Sequence, residues 1–282
     1  MNEPNTYSQN HSLQTTDNIY VIENFLSLIK WENGENQTAL DVGCGEGHTT
    51  AEILLPKLPK CLKTLIGSDL SEKMVQFAKD TYKNQRLDFC QLDISEGAVC
   101  KEFGDMFNHV FSFFCLHWIV DQRKVFENIF KLMKPGGDML LSFLGRNPIF
   151  EVYQNISQNI HWAPYFKKEM VSPYHECEDP QQVIMQMLMD VGFSNWKCVV
   201  ADRTYVYKNW RQLKASITAV NPTLPQLAPH ERAQYIEDLT QEVRNIYKNK
   251  FKLLDNNNDE YIPVDYKLII VYAVKPHNGM EL

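Results

Sequence analysis

At 282 residues, with 44% hydrophobic and 22% charged side chains, the chain has the length and balance of a large globular domain. Its 28 Lys and Arg against 35 Asp and Glu leave a formal charge of −7, which argues against wholesale binding to nucleic acid or an anionic membrane. The polar start MNEPNTYSQNHSLQ lacks the pattern of a signal peptide, and no run of about 18 apolar residues follows, so the expected compartment is the cytosol, without membrane insertion.

A helix is expected over 17–30, preceded by Gln14 in the segment SLQ. The apolar run TALDVGC (38–44) then reads as a strand that leads into glycines. Four more strand-like runs follow: TLIGSDL (64–70), LDFCQLD (87–93), HVFSFFCL (109–116) and DMLLSFLG (138–145). Between them, SEKMVQFAKDTYK (71–83) repeats apolar residues at helical spacing behind Ser71, a natural N-cap. QRKVFENIFKLMKPGG (122–137) does the same and ends at Pro135-Gly136-Gly137. Strands alternating with helices predict an α/β fold, a mostly parallel sheet with helices on both faces. Helical patterns then dominate 149–166, 179–193, 210–220 and 230–251, interrupted by the strand-like KCVVADRTYVY (197–207); YIPVDYKLIIVYAVKP (261–276) is a last strand. The chain therefore reads as one domain over 1–282. Its parts are a main cofactor-binding part at 1–145, a helical substrate cover with one inserted strand at 146–255, and a final strand at 256–276. Seven cysteines without a C-x-x-C pair read as reduced thiols, and no metal site is expected. The Asn-x-Ser/Thr matches at Asn10, Asn36 and Asn155 read as chance.

LDVGCGEG (40–47) is the most informative stretch. Gly43, Gly45 and Gly47 stand between a strand and a helix, where a tight turn and a close backbone approach to a ligand call for residues without a Cβ. The spacing is G-x-G-x-G rather than the dinucleotide G-x-G-x-x-G, and Asp41 and Glu46 flank it. Two carboxylates repel a pyrophosphate and suit a cationic ligand such as S-adenosylmethionine. Asp69 ends the second strand, where it can accept from ribose hydroxyls, and Asp93 follows the third, where it can accept from an adenine amino group. Leu70, Ile94 and Phe113, at the ends of the second, third and fourth strands, join the expected cofactor contacts. Cys44 joins through its backbone. Glu46 reads as a first-turn residue favoured by the helix dipole.

With these residues in view, LDVGCGEG, GSDLSEKMV, LDI and MKPGG resemble the signature of class I S-adenosylmethionine-dependent methyltransferases. More narrowly, YSQNHSLQ, FNHVFSFFCLHWIVDQ, FLGRNPIFEVY, SPYHECEDP and VGFSN resemble insect juvenile hormone acid methyltransferases, over about residues 7–276. The resemblance implies a Rossmann-like seven-stranded sheet with an antiparallel last strand. It also implies methylation of a sesquiterpenoid carboxylic acid, juvenile hormone acid or farnesoic acid, with release of S-adenosylhomocysteine. A homodimer stays open.

A carboxylic acid with a pKa near about 4–5 is already ionised at pH 7, so no general base is needed. The site calls for apolar walls and neutral donors, without a Lys or Arg that would pair the nucleophile. Gln14, His117 and Trp118 are the candidates, and the resemblance supports Gln14 and Trp118. The aromatics Phe150, Tyr153, Trp162, Tyr165 and Phe166 are numerous enough to line a pocket, or to form a core. Two other readings stand beside this one. A methyltransferase of another small nucleophile would use His117 as base, and a hormone-binding protein would carry out no turnover.

Overall fold

The computed structural model describes residues 3–31, 36–97, 103–251 and 260–277. Cys100 and the expected boundary at 255 lie outside them. Seven strands form one sheet: β1 (Gln37–Val42), β2 (Leu62–Asp69), β3 (Leu87–Gln91), β4 (Phe107–Phe113), β5 (Met133–Leu144), β6 (Ser194–Asn209) and β7 (Glu260–Val274). Their order is β3-β2-β1-β4-β5-β7-β6. The first five pair in parallel; β7 pairs antiparallel with both β5 and β6. The order reverses between β1 and β4, and open α/β sheets bind ligands outside the carboxyl ends of strands at such a switch point. The glycine loop leaves β1 there, and residues 114–118 leave β4 beside it.

Alternation along the strands divides the core into two layers. On one face, Ala39, Leu65, Phe111, Phe113, Leu140 and Ile270 pack with α2 (Ser12–Phe25), which follows the short α1 (Pro4–Ser8), and with the long helix Pro229–Phe251. On the other face, Leu40, Val42, Val110, Leu141, Phe143 and Val271 pack with α4 (Gln122–Leu132) and α6 (Pro180–Val191). Helix starts are capped as the side chains suggest: Ser71 accepts from the Met74 N–H before α3 (Glu72–Thr81), and Asp121 accepts from the Lys124 N–H before α4.

Several boundaries depart from the expectation. Helix α2 starts at Ser12, so Gln14 stands inside it rather than upstream. After the glycine loop the chain makes a π-helical turn, Thr49–Leu54. Strand β4 stops at Phe113, because Phe114 takes φ +55° and the chain enters a 3₁₀ turn at Leu116–Trp118. Helix α4 stops at Leu132; Met133 already pairs with Phe107, so the KPGG stretch belongs to the start of β5. The helical run expected over 149–166 shortens to α5 (Pro148–Ile156), with only a 3₁₀ turn at Ala163–Tyr165 beyond it.

Candidate active site

A cavity of ≈ 670 Å³ opens at the switch point. Gln14, Asp41, Gly43, Cys44, Gly45, Asp69, Leu70, Asp93, Ile94, Phe113 and Trp118 all line it. Of the expected site residues, His117 alone is absent from the wall. The glycine loop is drawn toward β2 by the N–H groups of Gly43 and Cys44, which donate to the Ser68 carbonyl at 2.7 and 2.8 Å. Gly43 has φ +73°, and a Cβ there would lie 2.2 Å from Cys115 Sγ, so the position takes no larger residue. Asp69 fixes the loop from the other side: Oδ2 accepts from the Gly45 N–H at 3.0 Å and Oδ1 from the Ser71 N–H at 2.8 Å.

Asp41 is 1% exposed. Thr50 Oγ1 donates to its Oδ2 at 2.6 Å, while Oδ1 has no partner among the described residues. Burial pushes its carboxyl up to about 7, against the Thr50 bond and helped by the charge of Asp69. Glu46 is also buried and also pushed up to about 7 by burial, with Asp69 adding to it. It lines the cavity, in the loop ahead of the helical turn at Thr49–Leu54 rather than in a helix's first turn. His11 Nε2 stands 3.4 Å from its Oε1, while His11 Nδ1 bonds Thr15 Oγ1 at 2.6 Å. Asp93 Oδ1 accepts from the Ser95 N–H and hydroxyl at 2.9 and 2.6 Å, the turn-capping role open to it beside ligand binding.

The pair His117-Trp118 is divided by the 3₁₀ turn. Trp118 lines the cavity. His117 is buried in the layer behind it, between Phe114, Trp118 and Phe150, with ring centroids 6.2, 4.9 and 6.1 Å away. Its Nδ1 accepts from the Leu144 N–H at 3.4 Å, and burial pushes its pKa down to about 3. His117 is therefore a neutral core histidine rather than a donor on the cavity wall.

Other walls were not legible from composition. None of Phe150, Tyr153, Trp162, Tyr165 or Phe166 lines the cavity, and Phe150, Tyr153 and Trp162 are buried in the core. Trp162 Nε1 donates instead to Asp238 at 2.7 Å. The apolar wall comes from Phe114, Ile119, Val120, Met170, Val220 and Pro222. Lys167 and Glu169 also lie on the wall, which departs from the expectation of a site without a Lys; both side chains are exposed. From the N-terminal helices, Tyr7, His11 and Asn18 enter the wall as well. The one signal for Asn18 in the sequence is its spacing: Gln14 and Asn18 are four apart and share a helix face.

A model of the methyltransferase domain family matches residues 40–141. The chain is 36% identical over 283 residues to the juvenile hormone acid O-methyltransferase of Bombyx mori, covering 98% of each chain. It is 32% identical over 279 residues to that of Drosophila melanogaster, covering 98% of this chain and 93% of the relative. Among solved structures, the YcgJ protein of Bacillus subtilis superposes with a TM-score of 0.60 at 16% identity, over 92% of this chain and 99% of that one. Phosphoethanolamine N-methyltransferase 2 of Haemonchus contortus, solved with S-adenosylhomocysteine, superposes at 0.52 and 17% identity over 93% of this chain and 53% of that one. Both share the fold.

The cofactor is S-adenosylmethionine, and the residues present fit it. Asp41 and Glu46 put two buried carboxylates on the cavity wall, a donor set that suits a cationic ligand, and Asp41 Oδ1 is an acceptor with no protein donor among the described residues. Asp69 stands at the end of β2, where a carboxylate would be able to accept from ribose hydroxyls. Sheet order, glycine loop and near full-length identity converge on one conclusion: the chain belongs to the juvenile hormone acid O-methyltransferases and is an S-adenosylmethionine-dependent enzyme.

Proposed function

We propose that the chain methylates the carboxylate of a sesquiterpenoid acid, juvenile hormone acid or farnesoic acid, to its methyl ester. The observation that carries this is a cavity with the neutral donors Gln14 and Trp118 and an apolar wall, while His117, the base that the alternative reading requires, lies outside it in the core. A phenol or amine needs a base to take its proton; an ionised carboxylate does not. The names of the two insect relatives support the same acceptor class.

When bound, the cofactor supplies an electrophilic methyl group on a sulfonium. The protein's part is placement. The Gln14 amide and the Trp118 indole N–H orient the acid's carboxylate, and the Trp118 ring with Phe114, Met170 and Val220 excludes water from the reacting oxygen. Holding the reactants in line removes much of the entropic barrier. In this reading, 146–255 is the substrate cover; it contributes Met170, Val220 and Pro222 to the wall. The exposed Lys167 stands at the rim, where it attracts an incoming anion without pairing the buried nucleophile. The cytosol is the compartment that suits this enzyme.

A panel of isoprenoid, fatty and aromatic acids incubated with methyl-labelled cofactor tests the reading. Labelled methyl ester is expected from the isoprenoid acids. No ester from any isoprenoid or fatty acid, or labelling confined to phenols or amines, overturns it.

A further inference from the structure

Helix α2 turns two amides toward the cavity. Gln14 Oε1 and Asn18 Oδ1 are both buried, and neither has a partner among the described residues. Asn18 is 3% exposed, so a side-chain oxygen left without a donor there is costly. Its other end is held: Nδ2 donates to Thr49 Oγ1 at 2.9 Å. The next residue, Thr50, acts as a donor instead: its hydroxyl donates to Asp41 Oδ2 and leaves Oδ1 without a partner among the described residues. Consecutive threonines of one π-helical turn therefore each engage one end of a side chain and leave an acceptor oxygen unpaired at the other. Such turns recur at functional sites.

Two acceptors of this kind require a donor. An ionised methyl-acceptor carboxylate offers only acceptors, whereas an ammonium offers three N–H groups and no acceptor. Asp69 and Asp93 stand at the ends of other strands, where ribose and adenine are expected. We propose that Asn18 is a cofactor-binding residue: its carbonyl oxygen, oriented by Thr49, joins Asp41 Oδ1 in accepting from the ammonium of the cofactor's amino-acid moiety. Thr49 is a positioning residue for it. The inference rests on the cofactor and not on the identity of the methyl acceptor, so it stands or falls separately from the acid panel.

The test compares two ligands by titration calorimetry on the full chain. S-adenosylhomocysteine carries the amino-acid moiety; 5′-methylthioadenosine keeps the nucleoside and thioether and lacks it. Asn18→Leu is expected to weaken S-adenosylhomocysteine about ten- to a hundredfold, as for loss of a hydrogen bond to a charged group, and methylthioadenosine by less than about twofold. Asn18→Asp keeps an acceptor facing the ligand and is expected to retain or tighten S-adenosylhomocysteine. Equal loss for both ligands would mean a packing role and overturns the proposal. So does an Asn18→Asp variant that binds as weakly as Asn18→Leu, since the cavity-facing atom would then be a donor. Should Asn18→Leu fail to fold, Thr49→Val carries the same contrast. It is expected to weaken only S-adenosylhomocysteine, about three- to tenfold, and unchanged affinity for both ligands overturns the orienting role and the proposal with it.

Discussion

Asp41 and Glu46 are carboxylic acids in a place that disfavours their charge. Burial lifts both to about 7, from ordinary values of 3.8 and 4.5. The groups facing them are Asp69, which adds to the rise at both, Thr50 at Asp41, and His11 at Glu46. An acid whose folded pKa exceeds its unfolded one holds more protons when folded. Its contribution to stability therefore falls as pH rises through the window from about 4 to about 7. In the proposed site cofactor binding runs the other way, because an ammonium calls for an ionised Asp41. We expect the ligand-free thermal midpoint of Asp41→Asn to gain on the parent as pH rises across this window, while S-adenosylhomocysteine affinity of the parent rises. Thermal melts and titrations at a series of pH values check both; a parent affinity flat or falling with pH refutes the assignment. His117 and Trp118 give a second contrast at this scale. Trp118→Ala should lower kcat/KM about a hundredfold, the cost of misplaced reactants. His117→Ala should lower the thermal midpoint as a core cavity does, and leave the shape of the pH–rate profile unchanged. A lost alkaline or acid limb in His117→Ala contradicts its placement in the core.

At the scale of the element, the glycine loop makes the sharpest demand. Gly43 and Gly45 both have positive φ, 73° and 57°, so Ala at either carries a backbone penalty of about 1–2 kcal/mol. Their surroundings differ. A Cβ at Gly43 would meet Cys115 Sγ at 2.2 Å and Cys115 Cβ at 2.4 Å; one at Gly45 would meet only Tyr7, at 3.7 Å. Gly43→Ala should therefore destabilise by clearly more than Gly45→Ala in denaturant melts, and Cys115→Ala should not rescue it, since the Cβ itself obstructs. Equal melts for the two variants refute this account. The same loop shows what a sequence can reveal. Strands β1, β4 and β5 were readable because burial on both faces makes their runs apolar, and the loop because its glycines and carboxylates are local; the edge strand β3 buries only Phe89 and is marked mainly by its place between two helical patterns. Helix α2 was harder. Its interior-facing residues include Asp17 and Asn18, so the apolar period that marks a helix is broken by polar side chains that are buried. The turn at Phe114 was hidden for a related reason. FSFFCL is apolar but for Ser112, and the run from Phe113 to Leu116 carries no sign of where a strand stops. The far wall could not be read at all: Met170, Val220 and Pro222 meet the cavity through tertiary packing, while the more conspicuous Phe150, Tyr153 and Trp162 fill the core.

Across the whole molecule, α2 is tied to the opposite end of the chain. Asp17 is fully buried; its Oδ1 accepts from Arg203 Nε and Nη2 at 3.0 and 2.8 Å on β6, and its Oδ2 from the Tyr266 hydroxyl at 2.7 Å on β7. Burial still pushes the Asp17 carboxyl upward despite these bonds. The Arg203 guanidinium also lies over the Tyr20 ring at 3.9 Å, and Tyr205 donates to Ser12 at 2.8 Å. The antiparallel outer strands thereby hold the helix that presents Gln14 and Asn18, and the site depends on the C-terminal sheet without touching it. The energetics of such a tie are asymmetric. Removing one partner strands a buried charge and costs about 3–5 kcal/mol, whereas replacing the whole set with apolar residues of similar volume is often near neutral. Arg203→Met should then cost a large part of the ~5–15 kcal/mol that stabilises a typical domain. Asp17→Leu combined with Arg203→Met should recover part of it, and adding Tyr266→Phe should recover more, because the Tyr266 hydroxyl otherwise loses its acceptor. Denaturant melts of the three variants order them, and S-adenosylhomocysteine titration shows whether the helix has kept its place. Recovered stability with affinity still lost would mean that the polar tie sets the register of α2 against the cavity. Recovery of both would make it a stabilising contact only. A single Arg203→Met variant as stable as the parent would remove the tie from the account of the site.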